Sequence, residues 1–300
     1  MFDGWFRSEG MMNAVAKMLK LGDMLSDMCS ESVAEIAVFA EGASMYRARK
    51  SCGLGTTCLS DIRRTLAECG APYDIYSVSD LSLPEIAKYK LLVFVNQYDM
   101  PAERKAQIER IMSESGAMAL WLYAPGYATN GDNSAEHCQN LTGINVAESI
   151  SSHGDMIYED KKYSFPADAP YLYVKDGEAI PLSHFEDGSI SAAYKGAHAY
   201  AATPNIPSAL LRRVAALAGV FIHSNCSGVY TYENSSVLGV YNSTDGDAKL
   251  RVREDGEYTD LLTEQTFTSK NGELILPVRT LRAFMLVRNA TSIFYNERKI

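Results

Sequence analysis

The chain has 300 residues, 47% hydrophobic and 22% charged, with a formal net charge of −9. Those proportions suit one or two folded domains with sizeable cores and exclude a disordered chain. The acidic balance argues against a nucleic-acid phosphate surface and an anionic membrane face, since both want clustered Lys and Arg.

No apolar run approaches the roughly 18 residues of a membrane span, and the N-terminus carries Asp3 and Glu9 without a cleavable apolar core. Six cysteines are scattered without a C-x-x-C pair. Free thiols in a reducing cytoplasm are the expectation.

Phe2-Asp3-Gly4-Trp5-Phe6 forms an aromatic cluster around a glycine, suited either to pack on the body of the domain or to sit beneath a covering neighbour. Met11 to Met28 then place Met11, Met12, Val15, Met18, Leu19 and Leu25 on one helical face. Ala34 to Ala40 reads as the first buried strand. The loop behind it holds Gly53-Leu54-Gly55, which lacks the third glycine and the lysine of phosphate-binding loops, so it reads as a flexible loop. Thr57 to Cys69 is a helix stopped by Gly70 and Pro72, and Asp74 to Val78 is a second strand.

The stretch from Lys88 to Gly126 shows the plan of the chain. Leu91 to Val95 and Ala117 to Leu122 are short apolar runs suited to burial on both faces, and an amphipathic helix opened by Pro101 and closed by Gly116 lies between them. This is a βαβ unit. Such units gather ligands where a strand's carboxyl end enters the next loop, which directs attention to Tyr123-Ala124-Pro125-Gly126. The order of elements predicts an α/β, three-layer domain with a largely parallel sheet.

Beyond Tyr127 a polar loop leads to a short helix around Ser134 to Leu141, and Asn145 to Lys195 breaks into small antiparallel pieces such as Ala179 to Ser183 and Ile190 to Tyr194. A helix at Ala209 to Leu217 and a buried strand at Val220 to His223 close the domain near Asn225. Six short strands follow, at Val229 to Tyr232, Val237 to Tyr241, Ala248 to Val252, Glu257 to Leu261, Glu273 to Leu276 and Leu281 to Val287. Their Asn-, Asp- and Gly-rich turns predict a small antiparallel β-sandwich.

The sheet with a sharp turn after a buried strand resembles the flavodoxin-like fold of class I glutamine amidotransferases, whose nucleophile elbow reads G-x-C-x-G. Laid on Tyr123-Ala124-Pro125-Gly126, the closing glycine is Gly126 and the cysteine position falls on Ala124. The next residue, Pro125, has no N–H to offer an oxyanion. His137 and Cys138 are adjacent, and neighbouring helical residues point about 100° apart, too far for a dyad. The five histidines, His137, His153, His184, His198 and His223, show no metal-ligand spacing, so neither a metal nor a cofactor is expected. His198 and His223 read as satisfied core or edge residues.

The order of pieces carries a wider resemblance. Phe2 to Phe6, the strand SVAEIAVFAE, GAPYDIYSVSDL, KYKLLVFVNQYDM, ALWLYAPG, the helix ALLRRVAALAGVFIHS and the final LPVRTLRAFMLV together resemble the C-terminal part of family 42 glycoside hydrolases, bacterial β-galactosidases. In that family a catalytic (β/α)8 barrel comes first, an amidotransferase-like trimerisation domain follows, and a small antiparallel β domain ends the chain. The resemblance implies a barrel remnant and linking helix at 1–30, the α/β trimerisation domain at 31–225 and the β domain at 226–300.

It further implies a homo-oligomer, a trimer, with no catalytic glutamate of the barrel present, and a galactoside-type sugar as the ligand of a parent enzyme. Trp5 falls on an aromatic that closes the barrel in related sequences, and with Tyr127 it is a sugar-lining candidate. A carbohydrate-binding module, favoured by the 18 tyrosines, is the alternative. A hydrolase using unrecognised acids is a further one.

Overall fold

The computed structural model describes residues 8–49, 53–165, 169–277 and 282–289. The predicted cluster around Trp5 lies outside them, as do Cys52 and Leu281.

A mixed sheet forms the centre of the first unit. Its parallel part has the order β2 (Tyr73–Ser77), β1 (Ile36–Ala40), β3 (Leu91–Phe94), β4 (Met118–Leu122) and β11 (His198–Ala201). Strand residues alternate between two cores, as a period of two requires. Ala37, Phe39, Leu92, Phe94, Ala119, Trp121 and Tyr200 point to one side. Ile36, Val38, Leu91, Val93, Leu120, Leu122, Ala199 and Ala201 point to the other. Burial on both faces explains why β1, β3 and β4 are apolar throughout rather than alternating with polar residues.

Helices cover both faces, which makes three layers. On the first side stand α3 (Ala102–Ser115), through Ile108, Ile111 and Met112, and α4 (Ala135–Thr142), through Cys138 and Leu141. On the second stand α2 (Ile62–Ala67), through Ile62 and Leu66, and α5 (Ser208–Leu217), through Leu210, Leu211 and Val214. Pro101, which has no N–H of its own, stands at the N-cap of α3, and Gly116 ends the helix at φ 70°. An aromatic ladder runs across the first face, Phe39 on Phe94 at 5.2 Å and Phe94 on Trp121 at 4.2 Å.

Beyond β11 the sheet turns antiparallel through β10 (Ile190–Lys195), β9 (Ile180–Phe185), β6 (Met156–Tyr158) and β7 (Lys161–Tyr163). The branch β5 (Val146–Ser149) and β8 (Tyr171–Val174) joins it at β10. The second unit pairs β12 (Val229–Glu233), β13 (Val237–Asn242), β18 (Arg282–Arg288), β15 (Glu257–Asp260) and β16 (Thr266–Thr268) in one antiparallel sheet, and β14 (Ala248–Arg251) with β17 (Glu273–Leu276) in another. Val229, Leu238, Val240, Phe284 and Leu286 from the first meet Leu250, Leu274 and Leu276 from the second in a common core.

One expectation is corrected, and two further features were not legible in the sequence. Val220–His223 is buried but is no strand. Its backbone bonds run instead to Ala215 O from Val220, to Glu35 Oε2 from Phe221 and to Gly70 O from His223, at 2.9, 2.6 and 2.7 Å. Next, the fifth parallel strand is β11, which the sequence does not announce. Lastly, the N-terminal helix, α1 (Glu9–Ser26), is present, but Met11, Met12, Val15, Met18 and Leu19 are exposed. It docks through Leu21, with Met24 and Leu25, against Leu261 and Val287 of the second unit. The apolar stripe was legible; the side that meets the body was not.

Polar groups also join the units. Glu35, ahead of β1, takes Lys90 at 3.0 Å, Arg253 at 3.2 Å and the Phe221 N–H. Arg253 also reaches Glu233, and His223 Nε2 lies 3.0 Å from the same carboxylate.

Candidate functional site

Strands β2 and β3 flank β1, so the chain leaves the centre of the sheet in opposite directions and opens a crevice at the strands' carboxyl ends. The loops after β1, β3 and β4 converge there. Arg47, Tyr98, Tyr123, Ala124 and Tyr127 from these loops, with Tyr171 at the start of β8, line a cavity of about 460 Å³.

The turn after β4 carries two left-handed residues. Tyr123 has φ 66° and Gly126 has φ 71°. A left-handed conformation costs a non-glycine residue of order 1–3 kcal/mol and needs support from its surroundings. Here the Tyr123 N–H donates to Ala201 O at 2.7 Å, and Tyr200 donates its hydroxyl to Tyr123 O at 2.6 Å. The Tyr123 hydroxyl in turn donates to Pro170 O at 3.2 Å. Gly126 is held by its N–H on Gln97 O at 2.7 Å, and a Cβ there would sit 3.5 Å from His137 O. Both ends of the turn are thus pinned from neighbouring strands and loops.

The sequence frame puts the nucleophile position on Ala124, whereas the left-handed residue, the geometric signature of a nucleophile elbow, is Tyr123. The side chain is a methyl in one frame and a phenol in the other. Pro125 follows in either case with no N–H of its own. Neither frame places a thiol or an aliphatic hydroxyl at the apex of the turn.

Tyr127 lines the cavity and donates to Glu148 Oε2 at 2.9 Å. Burial and that carboxylate push its phenol up to about 12, so it acts as a neutral donor. Arg47 is paired with Asp99 at 2.8 Å. Cys138 is fully buried on α4, and burial pushes its thiol up to about 12, far from a reactive thiolate. His137 points elsewhere, with Nδ1 3.4 Å from Tyr127 O. Trp5 lies outside the described residues, so the structure brings Tyr123 to Tyr127 together without it.

His223 is satisfied on both nitrogens, by Arg251 O at 2.9 Å and Glu233 at 3.0 Å. His198 accepts the Trp121 Nε1 proton at 3.2 Å, and burial lowers its pKa. His153 differs. Its Nδ1 lies 2.6 Å from Asp187, a residue 34 positions away. No motif marks that pair, so sequence reasoning passed over it. Among the described residues no group of three or more His, Cys, Asp or Glu is placed to hold a metal ion, and no helix is long and apolar enough to cross a membrane.

The fold is thus a mixed α/β sheet with helices on both faces, followed by separate antiparallel sheets. No protein-family model matches the sequence, and no curated protein matches it. Solved structures do. A catalytic mutant of Gan42B, a GH42 beta-galactosidase from G. stearothermophilus, superposes with a TM-score of 0.64 at 15% identity, over 92% of this chain and 43% of its own. The beta-galactosidase of the psychrophilic Marinomonas ef1 gives 0.60 at 13%, over 92% and 42%. That of the haloarchaeon Halorubrum lacusprofundi gives 0.58 at 14%, over 89% and 42%. The chain therefore shares a fold with less than half the length of each β-galactosidase.

Proposed function

We propose that this chain is the non-catalytic assembly portion of a β-galactosidase-like glycoside hydrolase. Residues 31–225 form a flavodoxin-like, class I amidotransferase-like trimerisation domain, 226–300 a supporting β-sandwich, and 1–30 the link from a barrel. The observation that carries this reading is the superposition on three β-galactosidases along nearly the whole of this chain. The strand order β2-β1-β3-β4-β11 supports the domain type, since it follows the doubly wound pattern of flavodoxin. The elbow supports the absence of amidase chemistry, because neither Tyr123 nor Ala124 supplies a thiol and Pro125 supplies no oxyanion donor. The unbridged thiols of Cys58, Cys69 and Cys138 suit a reducing cytoplasm.

The test is turnover of nitrophenyl β-galactoside by the purified chain. None is expected above the uncatalysed rate, and clear turnover by the 300-residue protein overturns the reading.

One observation favours a second reading, a sugar-binding module: Tyr98, Tyr123, Tyr127 and Tyr171 all line the elbow cavity, and aromatic faces stack well on sugars. Glycan binding lost in Tyr127→Ala supports it. Binding that survives the substitution removes the elbow as its site.

A further inference from the structure

A second cavity of about 210 Å³ shares Tyr123, Pro170 and Tyr171 with the elbow cavity and continues toward Tyr163, Phe165 and His153. The imidazole of His153 is nine-tenths buried, with 10% of the side chain exposed. Its ring lies against Tyr173 and Phe185, with centroids at 4.9 and 5.3 Å. The aromatic neighbours fix its orientation.

The hydrogen bonds fix its tautomer. Nδ1 lies 2.6 Å from Asp187 Oδ2 and 3.1 Å from Ser189 Oγ. Ser189 uses its own hydroxyl proton on Asp187 Oδ1 at 2.6 Å, so both neighbours present lone pairs to Nδ1. Only a proton on Nδ1 makes that arrangement attractive. Burial raises the Asp187 carboxyl, but the bonds from Ser189 and His153 outweigh it and hold the group down at about 2, so the acceptor is a carboxylate. A neutral imidazole has a single N–H. In that neutral form Nε2 is a bare acceptor, and among the described residues it is buried without a partner. Buried polar atoms are rarely left so, which marks Nε2 as a place for a ligand's donor.

The lining says what kind. Among the described residues no Lys or Arg faces the cavity, while Asp155 does, so an anion finds no lysine or arginine counter-charge there. Tyr163, Phe165 and Tyr171 provide flat apolar walls, with Ser152, Ser164 and Thr203 between them. We propose that this cavity binds a neutral, hydroxyl-bearing small molecule on the scale of one sugar ring, which donates a hydroxyl proton to His153 Nε2 and lays a C–H face on the aromatic wall. Asp187 and Ser189 are positioning residues that keep the acceptor nitrogen bare. The site does not depend on the assembly reading.

The experiment is a titration of the full, ¹⁵N-labelled chain at mildly alkaline pH with D-galactose, D-glucose and D-mannose, and separately with ethanolamine, read on the imidazole nitrogens. With at least one hexose, Nε2 of His153 alone among the histidines moves saturably from the bare to the hydrogen-bonded position. His153→Phe keeps a ring against Tyr173 and Phe185 but deletes the acceptor, and weakens hexose binding at least about tenfold. Three results overturn the proposal: no hexose moves Nε2, ethanolamine moves it in preference to every hexose, or His153→Phe binds hexose as tightly as the native chain. The first two are read on the native protein and stand whether or not the variant folds.

Discussion

Tyr200 donates its hydroxyl to the main-chain carbonyl of Tyr123 at 2.6 Å, and by that bond β11 holds the left-handed residue at the end of β4. Tyr200 is fully buried, and burial drives its phenol well above the ordinary value, so the donor proton is always present. Tyr200→Phe keeps the ring and removes the donor. It leaves a buried carbonyl with one bond fewer, and a loss of about 1–3 kcal/mol is expected in urea unfolding at neutral pH. An unchanged midpoint shows that the elbow holds its shape without this bond.

Gly126 closes the same turn at φ 71°, with room beside it for a methyl group but not for the strain of one. Gly126→Ala is expected to destabilise by about 1 kcal/mol or more, because an alanine must adopt a conformation it disfavours. Thermal unfolding reads the effect. A gain in stability means that the turn relaxes out of the left-handed region.

The junction of the two units predicts an acid transition. Burial raises the Glu35 carboxyl, but the Phe221 N–H, Lys90 and Arg253 outweigh it and set its pKa below the ordinary 4.5. Burial likewise raises Glu233, while His223 and Arg253 outweigh it and lower the net value. A depressed folded-state pKa contributes stability that is full above the unfolded value and fades as pH falls through the folded one. Stability should thus hold above 4.5 and decline below it. In Glu35→Gln with Glu233→Gln that part of the decline should be smaller. A double variant with an unaltered acid limb in denaturant titrations across that range contradicts the assignment.

Thiol reactivity separates the buried cysteines from the exposed ones. Cys29 and Cys226 are exposed, while Cys58, Cys69 and Cys138 are buried, and burial pushes Cys69 and Cys138 up to about 12. Brief iodoacetamide treatment of the native chain, followed by peptide mapping, should label Cys29 and Cys226 and spare the three buried thiols. Rapid labelling of Cys138 would reopen the case for a nucleophile on α4.

The sequence announced the parallel sheet where strands are buried on both faces. Leu91–Val95 and Ala117–Leu122 could hardly be anything else, and the helix between them carried its own start and stop residues. β11 escaped because His-Ala-Tyr-Ala is short and alanine-rich, and only its place between β4 and β10 makes it a strand. Val220–His223 misled for the opposite reason, since it is apolar and buried but bonded to side chains and loops. At the elbow Gly126 was visible, whereas the left-handed Tyr123 was not, because Ala201 and Tyr200 impose it from a strand far along the chain. His153 and Asp187 meet only after the antiparallel extension folds.

The central claim is that this chain assembles and does not hydrolyse, and the most direct measurement of the first half is its mass in solution by sedimentation equilibrium. The account predicts a single species of three chains over a wide concentration range. A monomer at every concentration would contradict it.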